Sequence, residues 1–166
     1  SELAKKLIAE NKRTQAKSLD LGNCGLKDLN EIPELFECVW LENLNLSMNT
    51  ITSLSCSTKK INLFNNKFSC WQEIDKLTVL DLSYNQISDI SFLENLPQLH
   101  YLDFSYNQIS DIRFLEDLME LHYLDLSYNQ ISNIQFLENL TRLQYLNLSC
   151  NQISDIKSLQ YFTNLK

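Results

Sequence analysis

A chain of 166 residues has the size of one domain, and with only two Gly and two Pro it has little room for flexible linkers. The net charge of −7 is uneven: residues 1–72 carry nine Lys/Arg against eight Asp/Glu, and residues 73–166 five against thirteen. Lacking a basic footprint, the chain is not expected to bind nucleic acid, and no apolar run approaches the roughly 18 residues that membrane insertion needs.

Leu3, Leu7 and Ile8 among charged residues up to Arg13 predict a short amphipathic helix over residues 1–15. Its expected role is to cap the first coil of a stacked core, because the open end of such a core exposes apolar surface. Leu19-Asp20-Leu21-Gly22-Asn23-Cys24 reads as a first strand and turn, and Ile32-Pro33-Glu34-Leu35-Phe36 as a returning segment with Pro33 in the first turn of a short helix. Leu44-Asn45-Leu46 with Asn49 is the second strand, and Ile61-Asn62-Leu63-Phe64-Asn65-Asn66 is read as a third. The intervals between turns, 25, 17 and 19 residues, are irregular here. Trp40 and Trp71 lie on the returns and are expected to fill core.

From Leu80 the chain becomes periodic. Leu80-Asp81-Leu82-Ser83-Tyr84-Asn85-Gln86-Ile87-Ser88-Asp89-Ile90 is restated at Leu102, Leu124 and Leu146, always 22 residues on. Leu80 and Leu82 alternate with Asp81 and Ser83, so two side chains point inward from a short strand. A carboxamide at Asn85, Asn107, Asn129 and Asn151 can donate to and accept from backbone groups buried at the turn. Ile87, Ile90, Leu93 and Leu96 then close the coil, with Phe92, Phe114, Phe136 and Leu159 recurring on the outer side. One such coil cannot bury enough apolar surface to stand alone, so coils must stack. Residues 16–166 are therefore predicted to form a solenoid of about seven repeats. Leu165 falls where another coil would begin, so the solenoid is expected to lack a C-terminal cap and to offer Ile153, Ile156 and Leu159 for self-association.

The spacing L-x-L-x-x-N at a period in the twenties resembles leucine-rich repeats. The Asn-Gln-Ile-Ser-Asp-Ile runs at 85, 107 and 151, with Asn-Gln-Ile-Ser-Asn-Ile at 129, are similar to the 22-residue class found in bacterial internalins and in regulatory subunits of protein phosphatase 1. The resemblance implies an α/β solenoid: a right-handed curved horseshoe with a parallel concave β-sheet and short helical or 3₁₀ convex segments, used for protein binding. It departs from internalins in lacking their cap and in carrying several cysteines. The opening Leu7-Ile8-Ala9-Glu10-Asn11-Lys12-Arg13-Thr14 looks more like the repeat regions of large bacterial multidomain proteins, which implies a recognition or scaffold fragment; an extracellular internalin-like adhesin is the alternative.

Cys24, Cys38, Cys56, Cys70 and Cys150 are odd in number and show no C-x-x-C or Cys/His spacing, which argues against zinc and against a complete disulfide framework. Free thiols fit the cytoplasm, the expected location; a bridge between Cys56 and Cys70 belongs to the extracellular alternative.

If the strands line the concave side, side chains in register form rows about 5 Å apart. Tyr101, Tyr123 and Tyr145 come after Val79 in one row, Asp81, Asp103 and Asp125 precede Asn147 in the next, and Tyr84, Tyr106 and Tyr128 precede Cys150 in another. Ser83, Ser105, Ser127 and Ser149 lie between, and the glutamines, Gln108 and Gln130 among them, complete the face. Tyrosine and serine together provide rigid contact area with small adaptable donors, and aspartates framed by tyrosine suit a protein or peptide with a basic segment. His100 and His122 stack in register, but Gln144 interrupts the column and no metal is expected there. From His122 to Ser127 along extended chain is roughly 15 Å, too far for a nucleophile and its base. No Gly-rich phosphate loop is present. A non-catalytic binding module without cofactor is expected.

Overall fold

The computed structural model describes residues 1–61 and 67–166, with side chains described outside 57–68. Helix α1 (Glu2–Thr14) opens the chain, its first turn capped by the Ser1 hydroxyl accepting from the Ala4 amide and its end formed by Gln15 in the left-handed conformation. Ala4 and Ile8 are buried on its inner side. Asn11, only 4% exposed, donates to the carbonyls of Ala16 and Ser18 at 3.0 and 3.1 Å and accepts from Trp40 Nε1 at 2.8 Å. One carboxamide thus ties the helix both to the first strand and to the first return.

The strands in chain order are β1 (Ser18–Asp20), β2 (Asn43–Asn45), β3 (Ser57–Ile61), β4 (Lys67–Ser69), β5 (Val79–Asp81), β6 (Tyr101–Asp103), β7 (Tyr123–Asp125) and β8 (Tyr145–Asn147). Six of them, β1-β2-β5-β6-β7-β8, make one parallel sheet. In it Leu19, Leu44, Leu80, Leu102, Leu124 and Leu146 stand side by side. With period-2 alternation these leucines enter the core, Leu146 at the end of the sheet only partly, joined two residues on by Leu21, Leu46, Leu82, Phe104 and Leu126. Their neighbours along the strand point to the other side of the sheet, where Asp125, 8% exposed, is buried and accepts from Asn147 Nδ2 at 3.4 Å.

Each strand of the parallel sheet ends in a turn that needs one left-handed residue: Asn23, Met48, Tyr84, Tyr106, Tyr128 and Cys150 all have φ between 54° and 56°. A left-handed L-residue costs about 1–2 kcal/mol, and the next residue helps hold the turn. Asn107 donates to the carbonyls of Leu82, Phe104 and Ser105 at 2.9, 3.1 and 3.2 Å while its Oδ1 accepts from the Ile87 amide at 3.0 Å. Asn85, Asn129 and Asn151 repeat the pattern between their own neighbours. Cys24 holds the asparagine slot in the first turn, and there the Asn49 Oδ1 accepts the Cys24 and Leu26 amides.

The convex returns are 3₁₀ turns, among them Ser91–Asn95, Arg113–Leu115, Gln135–Leu137 and Lys157–Tyr161. Asp89, Asp111, Asn133 and Asp155 each accept the amide two residues on, at 2.9 to 3.1 Å, and so start these turns. Trp71, 1% exposed, sits between Phe36 and Phe92 and donates Nε1 to the Leu54 carbonyl at 2.9 Å. It fills core, as expected from its place on a return.

The third coil expected at Ile61 is not a rung of the sheet. β2 pairs directly with β5, and the Asn85 Oδ1 reaches back to the Ile51 amide in the second coil. Of that expected coil, residues 62–66 lie outside the described residues; Ser57–Ile61 and Lys67–Ser69 on either side pair antiparallel. Asn49 and Asn85 are 36 residues apart, 14 beyond the period of 22, and Cys56 and Cys70, which are bridged, are separated by 14. One coil thus carries an insertion closed at its base by a disulfide, and two short intervals mimic an extra repeat.

Candidate functional site: the concave face

The strand spacing of about 4.8 Å brings side chains in register almost to ring-stacking distance. Tyr101 stacks on Tyr123 at 4.1 Å between centroids and 10° between planes, and Tyr123 on Tyr145 at 4.3 Å and 2°. At the left-handed turn positions Tyr84 stacks on Tyr106 at 4.2 Å and Tyr106 on Tyr128 at 4.1 Å, both at 10°. Such pairs are worth about 0.5–1.5 kcal/mol beyond their buried area. Tyr84, Tyr106, Tyr128 and Tyr145 are nonetheless exposed. Burial pushes the Tyr101 and Tyr123 hydroxyls up, so both are neutral phenols at physiological pH.

Between the tyrosine rows each aspartate folds back on its own turn. Asp81 Oδ1 accepts the Ser83 amide at 2.9 Å and its hydroxyl at 2.7 Å; Asp103 does the same with Ser105 at 2.8 and 2.7 Å, and Asp125 with Ser127 at 2.9 and 2.6 Å. The turn requires an acceptor rather than a charge, because Asn45 accepts the Ser47 amide at 2.8 Å and Asn147 the Ser149 amide at 3.1 Å. The negative charges are therefore surplus to the fold, although the oxygens are not. No ion pair among the described residues reaches Asp81, Asp103 or Asp125. Burial pushes the Asp103 carboxyl above its usual range; the Ser105 hydrogen bonds oppose this, and the carboxylates of Asp81 and Asp125 add to the rise.

The structure thus brings Tyr101, Tyr123 and Tyr145 into one row, Asp81, Asp103 and Asp125 into a second, and Tyr84, Tyr106 and Tyr128 into a third. Gln108 and Gln130 are exposed, but no side-chain hydrogen bond among the described residues ties them to these rows. Sequence reasoning missed a depression of about 430 Å³ on the same face, lined by Ser18, Asn43, Val79, Asp20, Asp81 and Tyr101 among others. Its signal was present: the row containing Tyr101 begins with smaller residues.

The rings of His100 and His122 lie 5.5 Å apart, and among the described residues no group of three His, Cys, Asp or Glu is placed to hold a metal. Ser127 Oγ donates to Asp125 rather than to a histidine.

The model for leucine-rich repeats in two copies matches residues 75–117 and again 120–161. The chain belongs to the leucine-rich repeat family. No curated relative matches this leucine-rich repeat chain by sequence. Among solved structures it is similar to an internalin of Listeria monocytogenes at 30% identity and a TM-score of 0.71, covering 86% of this chain and 37% of that one. A leucine-rich repeat protein of Leptospira interrogans is similar at 27% identity and 0.66, covering 80% of this chain and 32% of that one. The ectodomain of the Arabidopsis thaliana receptor kinase GASSHO1/SCHENGEN3, solved in complex with CASPARIAN STRIP INTEGRITY FACTOR 2, shares 26% identity at 0.67, covering 90% of this chain and 17% of that one. The chain spans well under half the length of each. A curved solenoid with a parallel sheet and 3₁₀ returns is the fold these relatives share, and it is typically a non-catalytic protein-binding scaffold.

Proposed function

We propose that the face carrying the two tyrosine rows binds a protein or peptide segment, as the recognition module of a larger bacterial protein. The observation that carries this is the surplus of chemistry over structural need. Asn23, Met48 and Cys150 adopt the same left-handed turn as Tyr84, Tyr106 and Tyr128, so nothing in the fold demands a large aromatic there. Exposed aromatic surface held rigid by stacking offers contact area at low entropic cost. The unneutralised aspartates between the rows favour a partner segment with basic character. Bacterial origin is supported by the Listeria and Leptospira neighbours.

The Cys56 to Cys70 bridge supports an oxidising, extracellular setting over the cytoplasmic one. It closes the base of the insertion, where a reducing compartment would leave two thiols.

The test is a selection of peptides from a random displayed library on the intact chain, followed by affinity measurement on Tyr106→Ala with Tyr128→Ala. Loss of two central aromatic anchors is expected to weaken binding about 30-fold or more, while the stacking lost lowers stability by about 1–3 kcal/mol. Unchanged affinity in this variant would remove the proposal.

A further inference from the structure

We propose that the depression in front of Tyr101 receives an arginine side chain of the partner, its guanidinium lying on the Tyr101 ring and donating to Asp81. The proposal rests on the concave face being a binding surface and specifies the chemistry of one contact on it.

The shape comes from a step in side-chain size. Along one row, Ser18, Asn43, Val79, Tyr101, Tyr123 and Tyr145 are partners in register. Tyr123 covers one face of the Tyr101 ring at 4.1 Å, but on the other side the register partner is Val79. The stack of rings stops there, and the space it does not fill is the depression of about 430 Å³. A planar group entering above Val79 would continue the stack by one step.

The charge comes from the next row. Asp81 spends Oδ1 on the Ser83 turn, and Oδ2 has no hydrogen bond among the described residues. Asp20 lines the far side of the depression, with Oδ1 held by the Gly22 amide and by Asn45 Nδ2, both at 2.9 Å. The occupant must therefore offer a flat face to the ring and cationic N–H groups to the carboxylates. A guanidinium does both. An ammonium is compact and strongly hydrated, an aromatic side chain would leave the carboxylates unneutralised, and an anionic group would be repelled.

The chain itself supplies conservative test variants. Asp81→Asn keeps the Oδ1 acceptor, as Asn45 and Asn147 do in their own turns, and Tyr101→Val copies Val79. The probe is N-acetylarginine methylamide, titrated into the intact chain and followed by NMR at the Val79 methyls, with the neutral citrulline analogue as control. A saturable shift at Val79 is expected for arginine, about tenfold weaker for citrulline, and about tenfold weaker for arginine in either variant. Absence of a saturable shift at Val79, equal binding of the two probes, or unchanged binding in both variants overturns the slot. Arginine shifts confined to Tyr84, Tyr106 and Tyr128 overturn it too, while leaving the binding surface standing. Failure of the surface itself shows separately, as unchanged peptide affinity in the Tyr106 and Tyr128 variant.

Discussion

Asp103 shows how one side chain serves the fold and strains it together. Its Oδ1 holds the Ser105 turn, yet burial and the carboxylates of Asp81 and Asp125 raise its proton affinity above that of an ordinary carboxyl. By linkage, the folded chain binds this proton more tightly than the unfolded chain. The stabilisation is fully present below the unfolded value and is lost as pH rises through the higher folded value. Asp103→Asn keeps the acceptor and removes the charge, so its melting temperature is expected to exceed that of the parent at pH 7. The advantage should shrink towards zero as pH falls below the usual carboxylate range. An equal or lower melting temperature for the variant at pH 7 would show that the charge costs the fold nothing.

At the scale of elements, the regular coils were readable because a turn asparagine and two strand leucines recur at a fixed interval, and each does a distinct physical job. The third coil was misread because Asn66, at 17 residues from Asn49 and 19 from Asn85, imitates a short repeat. Periodicity cannot separate a shortened coil from an insertion, whereas the hydrogen bond from Ile51 to Asn85 does. The tyrosine and aspartate rows were legible for the same reason as the leucines. Their division of labour was not, since the back-bonding of aspartate to serine depends on a turn whose left-handed residue has no glycine to announce it. The depression escaped because it is defined by what Ser18, Asn43 and Val79 lack. The insertion bears a prediction of its own. With Cys56 and Cys70 bridged and Cys24, Cys38 and Cys150 free, alkylation of denatured, unreduced chain from its native source is expected to label three thiols. Five labelled thiols would place the protein in a reducing compartment.

For the molecule as a whole, the six strands and their bonded turns form a stacked scaffold, in which the Asp/Asn row must keep its acceptor but the left-handed turn positions accept Asn23, Met48, Tyr84 or Cys150 alike. On the proposed function, that latitude is what leaves stacked tyrosines and carboxylates without ion pairs available for recognition. Hydrogen exchange with and without a library-selected peptide maps the contact directly. The backbone amides of residues 79–84, 101–106 and 123–128 are expected to slow on binding, with the 3₁₀ turns Ser91–Asn95, Arg113–Leu115 and Gln135–Leu137 unchanged. Protection confined to those convex turns, with the tyrosine rows unaffected, would contradict the concave face as the binding surface.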